Sequence, residues 1–197
     1  MWDRYDARGG DERDRSGAWD RNRGSRGGTN ERDPDRERDP HDVFTRDLEL
    51  PGGPDRELVR VRDRIHEING AESRMLATVG AFRVVSESDL HDARDGAQDS
   101  HRSLGHLERE GLVQTSRLCA DDRAVVLTDR GRDLLEANRH TREDRAQEPR
   151  QAFYAGLRKP RELTHDTKVY RAYLRAEERV RERGGHVKRV VLGRRIA

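Results

Sequence analysis

Apolar positions are missing from one end of the chain and regularly spaced through the rest. Residues 1–42 contain no Leu, Ile or Val, and 22 of those 42 residues are charged. Such a segment cannot bury enough apolar surface to offset its ordering entropy, which predicts disorder. Its charges are closely mixed in sign, as in Asp33-Pro34-Asp35-Arg36-Glu37-Arg38-Asp39, which argues against a basic arm gripping DNA. Trp2, Tyr5 and Trp19 could hold a partner there; a solvated tail with no dedicated role is the plainer reading. Pro51-Gly52-Gly53-Pro54 reads as a linker. Over 58–68 two periods compete. Leu58, Val61, Ile65 and Ile68 fit one face of a helix, whereas Val59 and Val61 alternate with Arg60 and Arg62 as in a strand. The longer stripe favours the helix.

From Asn69 the pattern sharpens. Asn69 with Glu72 three residues on forms a capping box, and Met75, Leu76, Val79 and Phe82 continue as one apolar face. Val84-Val85 ends this helix. Ser86 or Ser88 caps a short second helix carrying Leu90 and Ala93, broken at Arg94-Asp95-Gly96. Asp99 or Ser100 caps a third helix with Leu104 and Leu107 inward, stopped by Gly111. Two short apolar runs, Leu112 to Leu118 and Ala124 to Leu127, flank the turn Cys119-Ala120-Asp121-Asp122 and predict a hairpin. Thr128 caps a fourth helix with Leu134, Leu135 and Ala137 inside. Residues 140–160 are polar, punctuated by Pro149 and Pro160. A further helix is expected from about Arg161 to Arg183, capped by Thr164 and ended by Gly184-Gly185. Leu163, Tyr170, Tyr173, Ala176 and Val180 give it one apolar seam, suited to self-association or to docking on the preceding domain. His186 to Leu192 reads as a strand.

The expected architecture is therefore mainly α with a small β-hairpin. It comprises a charged tail and linker (1–57), a helical domain with a hairpin (58–140) and a basic helical C-terminal region (141–197). The order of helix, helix, helix, hairpin, helix is that of a winged helix-turn-helix. Leu104-Gly105-His106-Leu107-Glu108-Arg109-Glu110-Gly111-Leu112-Val113 resembles the end of a recognition helix running into the first wing strand. Val126-Leu127-Thr128-Asp129-Arg130-Gly131-Arg132-Asp133-Leu134-Leu135 resembles the second wing strand and the helix after it. Together they make residues 71–139 similar to MarR-type winged-helix regulators. The resemblance implies a sequence-specific DNA-binding protein, a bacterial transcriptional regulator, acting as a dimer. The C-terminal part resembles regions joined to winged helices in plasmid replication and mobilisation proteins. That leaves an accessory DNA-binding role as the alternative. A protein–protein adaptor is a third reading, because one fold serves many functions.

Composition bounds these readings. Of 197 residues, 41% are charged and 31% hydrophobic, against about 25% and 45–50% in a typical domain. The net charge of +2 hides a gradient: −4 over 1–57, −2 over 58–140 and +8 over 141–197. No apolar run is long enough for a membrane span, and no apolar h-region follows Met1, so a cytoplasmic protein is expected. A single cysteine, Cys119, excludes a disulfide framework and a Cys-based zinc site. Its acidic neighbours disfavour the thiolate a redox sensor needs. The eight His show neither His-x3-His nor HExxH spacing, and no phosphate loop or nucleophile elbow is present. No enzyme activity, metal or cofactor is expected, and the sequence names no small-molecule effector.

Candidate DNA contacts follow from the helical wheel. With Leu104 and Leu107 inward, Arg102, His106 and Arg109 fall on one outward stripe, with Gln98 at its start. Arginine can bond two acceptors on guanine or phosphate oxygens. Gly105 beside the stripe permits close backbone approach. Ser100, His101 and Ser103 lie nearer the flank and suit phosphates. The wing adds Arg117 and Arg123, although Asp121 and Asp122 at its tip would repel phosphates. Pairing of Arg117 with Asp122 or of Arg123 with Asp121 remains open. On the C-terminal helix Lys168, Arg171, Arg175 and Arg179 form a second stripe, suited to secondary phosphate contacts.

Overall fold

The computed structural model describes residues 42–90, 97–140, 150–156 and 160–192. The disorder expected for residues 1–42 and the helix break at Arg94-Asp95-Gly96 fall outside the described residues, Asp42 apart.

Asn69 starts the helix around which the others gather. Its side chain accepts the Glu72 amide at 2.9 Å, and the Glu72 carboxylate accepts the Asn69 amide at 3.0 Å, completing the expected capping box. Helix α2 (Gly70–Phe82) is buried on nearly every side, so Leu76, Ala77, Val79, Ala81 and Phe82 are all inaccessible to solvent. Before it run α1 (Asp42–Thr45), β1 (Glu57–Val61) and β2 (Arg64–Ile68). After it come β3 (Val85–Ser86), α3 (Glu87–Leu90), α4 (Ala97–Arg109), β4 (Val113–Arg117), β5 (Arg123–Leu127), α5 (Asp129–Ala137) and α6 (Pro160–Glu182). Strands β1 and β2 form one antiparallel sheet, and β3, β5 and β4, in that order, form a second.

The architecture is thus mixed α/β and not mainly α with one hairpin. The difference arises chiefly over 58–68, where the strand period wins. Val61 pairs with Arg64 across the two-residue turn Arg62-Asp63, and Arg62 takes a positive φ of 52° there. Val59, Val61, His66 and Ile68 face inward, while Leu58 and Ile65 stand 73% and 57% exposed. Two members of the supposed helical stripe therefore point to water. The alternation with charged residues was the physically decisive signal, because a slip of one position would bury Arg60.

The segment read as tail and linker also joins the fold. Phe44 and Leu48 lie in the main core. Leu48 bridges Arg139, with Glu49 N–H on the Asn138 carbonyl at 2.7 Å and His140 N–H on the Asp47 carbonyl at 3.0 Å. The domain therefore begins before the Pro51-Gly52-Gly53-Pro54 turn, not at residue 58.

Leu104 and Leu107 of α4 and Leu134 and Leu135 of α5 are buried as the periodicity predicts, although Ala137 is exposed. Gly111 ends the α4 turn at φ 68°. The Thr128 hydroxyl accepts the Gly131 amide at 3.0 Å and donates to the Gly111 carbonyl at 2.7 Å, so one side chain starts α5 and closes the preceding turn. Gly131 sits so close to β4 that a Cβ there would lie 2.2 Å from the Leu112 carbonyl oxygen.

Strand β5 is buried on both faces. Val125 and Leu127 join the main core, while Ala124 and Val126 meet Val84 and Leu163 in a smaller cluster. A run of apolar residues without alternation is what such a strand requires. Leu163 comes from α6, whose expected seam is covered within the chain at Leu163, Tyr170 and Tyr173, while Ala176 is exposed and Val180 half-buried. Tyr170 and Tyr173 pack with Phe82 at ring-centroid distances of 4.9 and 5.1 Å, and Phe44 closes the group at 5.3 Å from Phe82. Helix α6 starts at Pro160, a favoured first position, which leaves Thr164 inside the helix and not at its cap. Gly184-Gly185 ends it as expected, the Gly185 amide returning to the Val180 carbonyl at 2.9 Å. The described stretch after it, to Leu192, belongs to no sheet, contrary to the expected strand. The Gln151 side chain bonds both polar groups of Val190 at 3.1 Å, doing in one place what a strand partner would do repeatedly.

Truncating Tyr170 tests this packing. Tyr170→Ala should lower the unfolding free energy by about 3–5 kcal/mol, the usual cost of removing a fully buried large aromatic. Urea denaturation measures it. A change within about 0.5 kcal/mol, as for surface substitutions, would show that α6 does not dock on the core.

Candidate nucleic-acid interface

Burial of Leu104 and Leu107 fixes the rotation of α4 and so decides what its outer face carries. Arg102 stands 71% exposed and pairs with exposed Asp99 at 3.3 Å. Arg109 is exposed too, its Nε donating to the Gly105 carbonyl at 3.2 Å. A Cβ on Gly105 would meet nothing within 4 Å, so the helix surface between these arginines is open. His101 is exposed, with Nε2 3.7 Å from a Glu87 carboxylate oxygen. The side chain of Gln98 lies outside the described residues.

Three residues placed on this surface by the helical wheel are elsewhere. Ser100 and Ser103 are 4% and 8% exposed and belong to the inward side. His106 is turned in as well, its Nδ1 3.0 Å from the Glu72 carboxylate. The reason is that the buried arc is wider than two leucines define. Once Ser103 is inside, His106, three positions on, falls at the arc's edge.

Glu72 is fully buried and draws three elements together. Its oxygens accept the Asn69 amide, Nη2 of Arg56 at 2.8 Å and Nε of Arg56 at 3.3 Å, with His106 beside them. The bond to Glu72 raises the Arg56 pKa above its ordinary value, against the opposing effect of partial burial. A second histidine, buried His66 of β2, holds the carboxylate of Glu110 at 2.8 Å just past α4. Sequence reasoning identified Glu72 only as a cap. Nothing in the spacing revealed Arg56 or His106 as its partners.

The β4–β5 hairpin is organised differently from expectation. Neither of the two proposed Arg–Asp pairs forms. Arg123 grips Glu87 of α3 with Nε and Nη2 at 2.5 and 2.8 Å, which raises its pKa and occupies its fork. Arg117 remains exposed, its Nε 3.3 Å from the Cys119 carbonyl. Asp122 does not project from the tip. Its carboxylate accepts the Ser86 hydroxyl at 2.5 Å, the Ser88 amide and hydroxyl at 3.3 and 3.2 Å, and the Arg123 amide at 2.9 Å. Burial alone would push this carboxyl up; the hydrogen bonds from Ser86, Ser88 and Arg123 outweigh it and hold the pKa below the ordinary value. On α6, Arg171 reaches Asp89 of α3 at 2.7 Å, which raises its pKa, and approaches Asp122 at 4.0 Å. Lys168, Arg175 and Arg179 are exposed on the same helix.

No family model, no curated protein and no solved structure matches this chain. The site is therefore read from its own geometry. Among the described residues, no group of three or more His, Cys, Asp or Glu could hold a metal, and no helix is long and apolar enough to cross a membrane. Three carboxylates near the α4 and hairpin surface, Glu72, Glu87 and Asp122, are turned inward onto partners. What remains outward is Arg102, Arg109 and Arg117, with Asp99, Glu108 and Asp121 between them.

Asp122 gives a pH test with a definite sign. Because its folded pKa is lowered, it contributes stability above the unfolded value of about 4 and loses it as pH falls through the folded value. Wild type should therefore be more stable than Asp122→Asn at neutral pH. The gap should close as the medium is acidified below about pH 4. Urea titrations across that range measure it, and a gap that is the same in acid and at neutral pH would contradict the assignment.

Proposed function

We propose that this chain binds double-stranded DNA, with α4 in the major groove and the turn of the β4–β5 hairpin beside it. The observation that carries the reading is the outward pair Arg102 and Arg109 about the open surface at Gly105. An arginine on a helix in the groove can bond O6 and N7 of guanine together. The Arg102–Asp99 pair is a surface pair, worth about 0–1 kcal/mol, and exchanges readily for phosphate or base contacts.

Further support comes from the order of elements. A short helix, α3, precedes α4, and the paired strands β4 and β5 follow it, which is what the resemblance to MarR-type winged-helix regulators implies. In helix-turn-helix binding the second helix enters the groove while the first crosses the backbone. The negative formal charge of residues 58–140 is a weaker objection than it looks in sequence, because several of its carboxylates face inward. With Arg123 committed to Glu87, Arg117 is the arginine of the hairpin free to reach the duplex. Regulation of transcription from a cytoplasmic location is the role that fits such contacts. The reading concerns one chain on its duplex. The tyrosine seam of α6 gives no argument for a second copy, because it is covered within the chain.

Binding-site selection from random duplexes, followed by titration, tests the proposal. Arg102→Ala and Arg109→Ala should each cost about 1–3 kcal/mol at the preferred site where the arginine reads a guanine, with folding intact. Wild type that selects no duplex, or variants that bind it unchanged, would refute the assignment. Capture of proteins but not of DNA would favour the adaptor role.

A further inference from the structure

The outer face of α6 carries a row of cations whose position is fixed by its own packing. Leu163, Thr167, Tyr170 and Tyr173 are buried, which sets the rotation of the helix. Lys168, Arg171, Arg175 and Arg179 fall on the opposite side and are exposed. Arg171 is tied to Asp89 of α3, with Nε 3.0 and 2.7 Å from the two carboxylate oxygens, and Nη2 lies 4.0 Å from Asp122 where β5 begins. The middle of the row is therefore clamped against the short helix that precedes α4 and beside the start of β5. Among the described residues, Lys168, Arg175 and Arg179 have no carboxylate partner.

Resting on the DNA-binding reading above, we infer that α6 is a second DNA-contacting element, gripping the phosphate backbone through Lys168, Arg175 and Arg179 as that backbone passes α3. The first helix of a helix-turn-helix crosses the backbone, so a helix bound to its flank meets the same strand. The row from Lys168 to Arg179 spans about 16 Å at 1.5 Å per residue. That matches about five base-pair rises of 3.4 Å. Unpartnered cations on a rigid helix suit a polyanion, whose condensed counterions they release on binding. Arg171, held by Asp89, positions the row and is not itself a phosphate ligand. The surface carries no base-reading geometry, so it adds affinity and not sequence preference.

The test uses the full chain and the duplex it selects, titrated over a range of salt concentrations. Lys168→Gln/Arg175→Gln/Arg179→Gln should make the slope of log affinity against log salt shallower by about one per residue. The ranking of duplexes should not change, because phosphate contacts carry no sequence information. Arg175→Lys/Arg179→Lys keeps the charge and should keep the wild-type slope. Three outcomes overturn the inference alone: a triple variant with wild-type slope and affinity, one that changes which duplex is preferred, or a lysine variant as impaired as the triple one. If Arg102→Ala and Arg109→Ala weaken binding while the triple variant does not, DNA binding by α4 stands and the α6 contact falls. Wild type that binds no duplex overturns both.

Discussion

A single buried carboxylate holds the fold in register. Taking a carboxylate such as Glu72 out of water costs several kcal/mol unless its oxygens find donors, and here the Asn69 amide and the Arg56 fork supply three. One oxygen completes the start of the central helix, the Arg56 fork ties in the strand entry, and His106 brings α4 to the same point. Loss of any of these partners would leave charge in the interior. The elements cannot slide independently, because each has a fixed distance to Glu72. His66 and Glu110 add a second tie one turn further on, so the C-terminal end of α4 is held at two neighbouring points. These ties act in the same sense as the burial of Leu104 and Leu107, which turns Arg102 and Arg109 outward.

Charge is distributed in space very differently from its distribution along the chain. A domain of net −2 by sequence places Glu72, Glu87 and Asp122 against internal donors and leaves Arg102, Arg109 and Arg117 on the α4 and hairpin surface with Asp99, Glu108 and Asp121. Arginine suits this division because its planar fork can bind a carboxylate with two bonds and hold it. Arg123 on Glu87 joins β5 to α3, and Arg171 on Asp89 joins α6 to α3. The short α3 helix thus gains through ion pairs the fixation that four residues of apolar packing could not supply. A formal net charge says little about which face a polyanion would meet.

Most of the helices and the β4–β5 hairpin of residues 69–137 are legible in sequence because they carry local instructions, although α4 starts at Ala97, before the expected Asp99 or Ser100 cap, and β3 has no local signal. Asn69 with Glu72, Leu104 with Leu107, Gly111 and Thr128 act within a few residues of themselves. The first sheet is masked in sequence because Leu58, Val61, Ile65 and Ile68 match a helical stripe by chance, although two of the four face water. Phe44 and Leu48 were assigned to a linker because their partners lie far along the chain, and no local period announces them. The same limit applied at the surface. A wheel drawn from two leucines separates inside from outside but cannot see that Glu72 pulls His106 inward or that Glu87 takes up Arg123. Long-range charge pairing leaves no spacing in sequence, and that is where the site differed from expectation.

The aromatic cluster has a consequence for how the chain is made. Phe44 comes from near the first described residue, Phe82 from the central helix, and Tyr170 and Tyr173 from the last helix. A ribosome adding about 5–20 residues per second exposes the first of these rings many seconds before the last exists. During synthesis the underside of α2 therefore stands uncovered, and Leu163 is absent from the outer face of β5. Contacts of such high sequence separation carry the loop-closure cost that slows folding. The domain can complete its core only after α6 has been made.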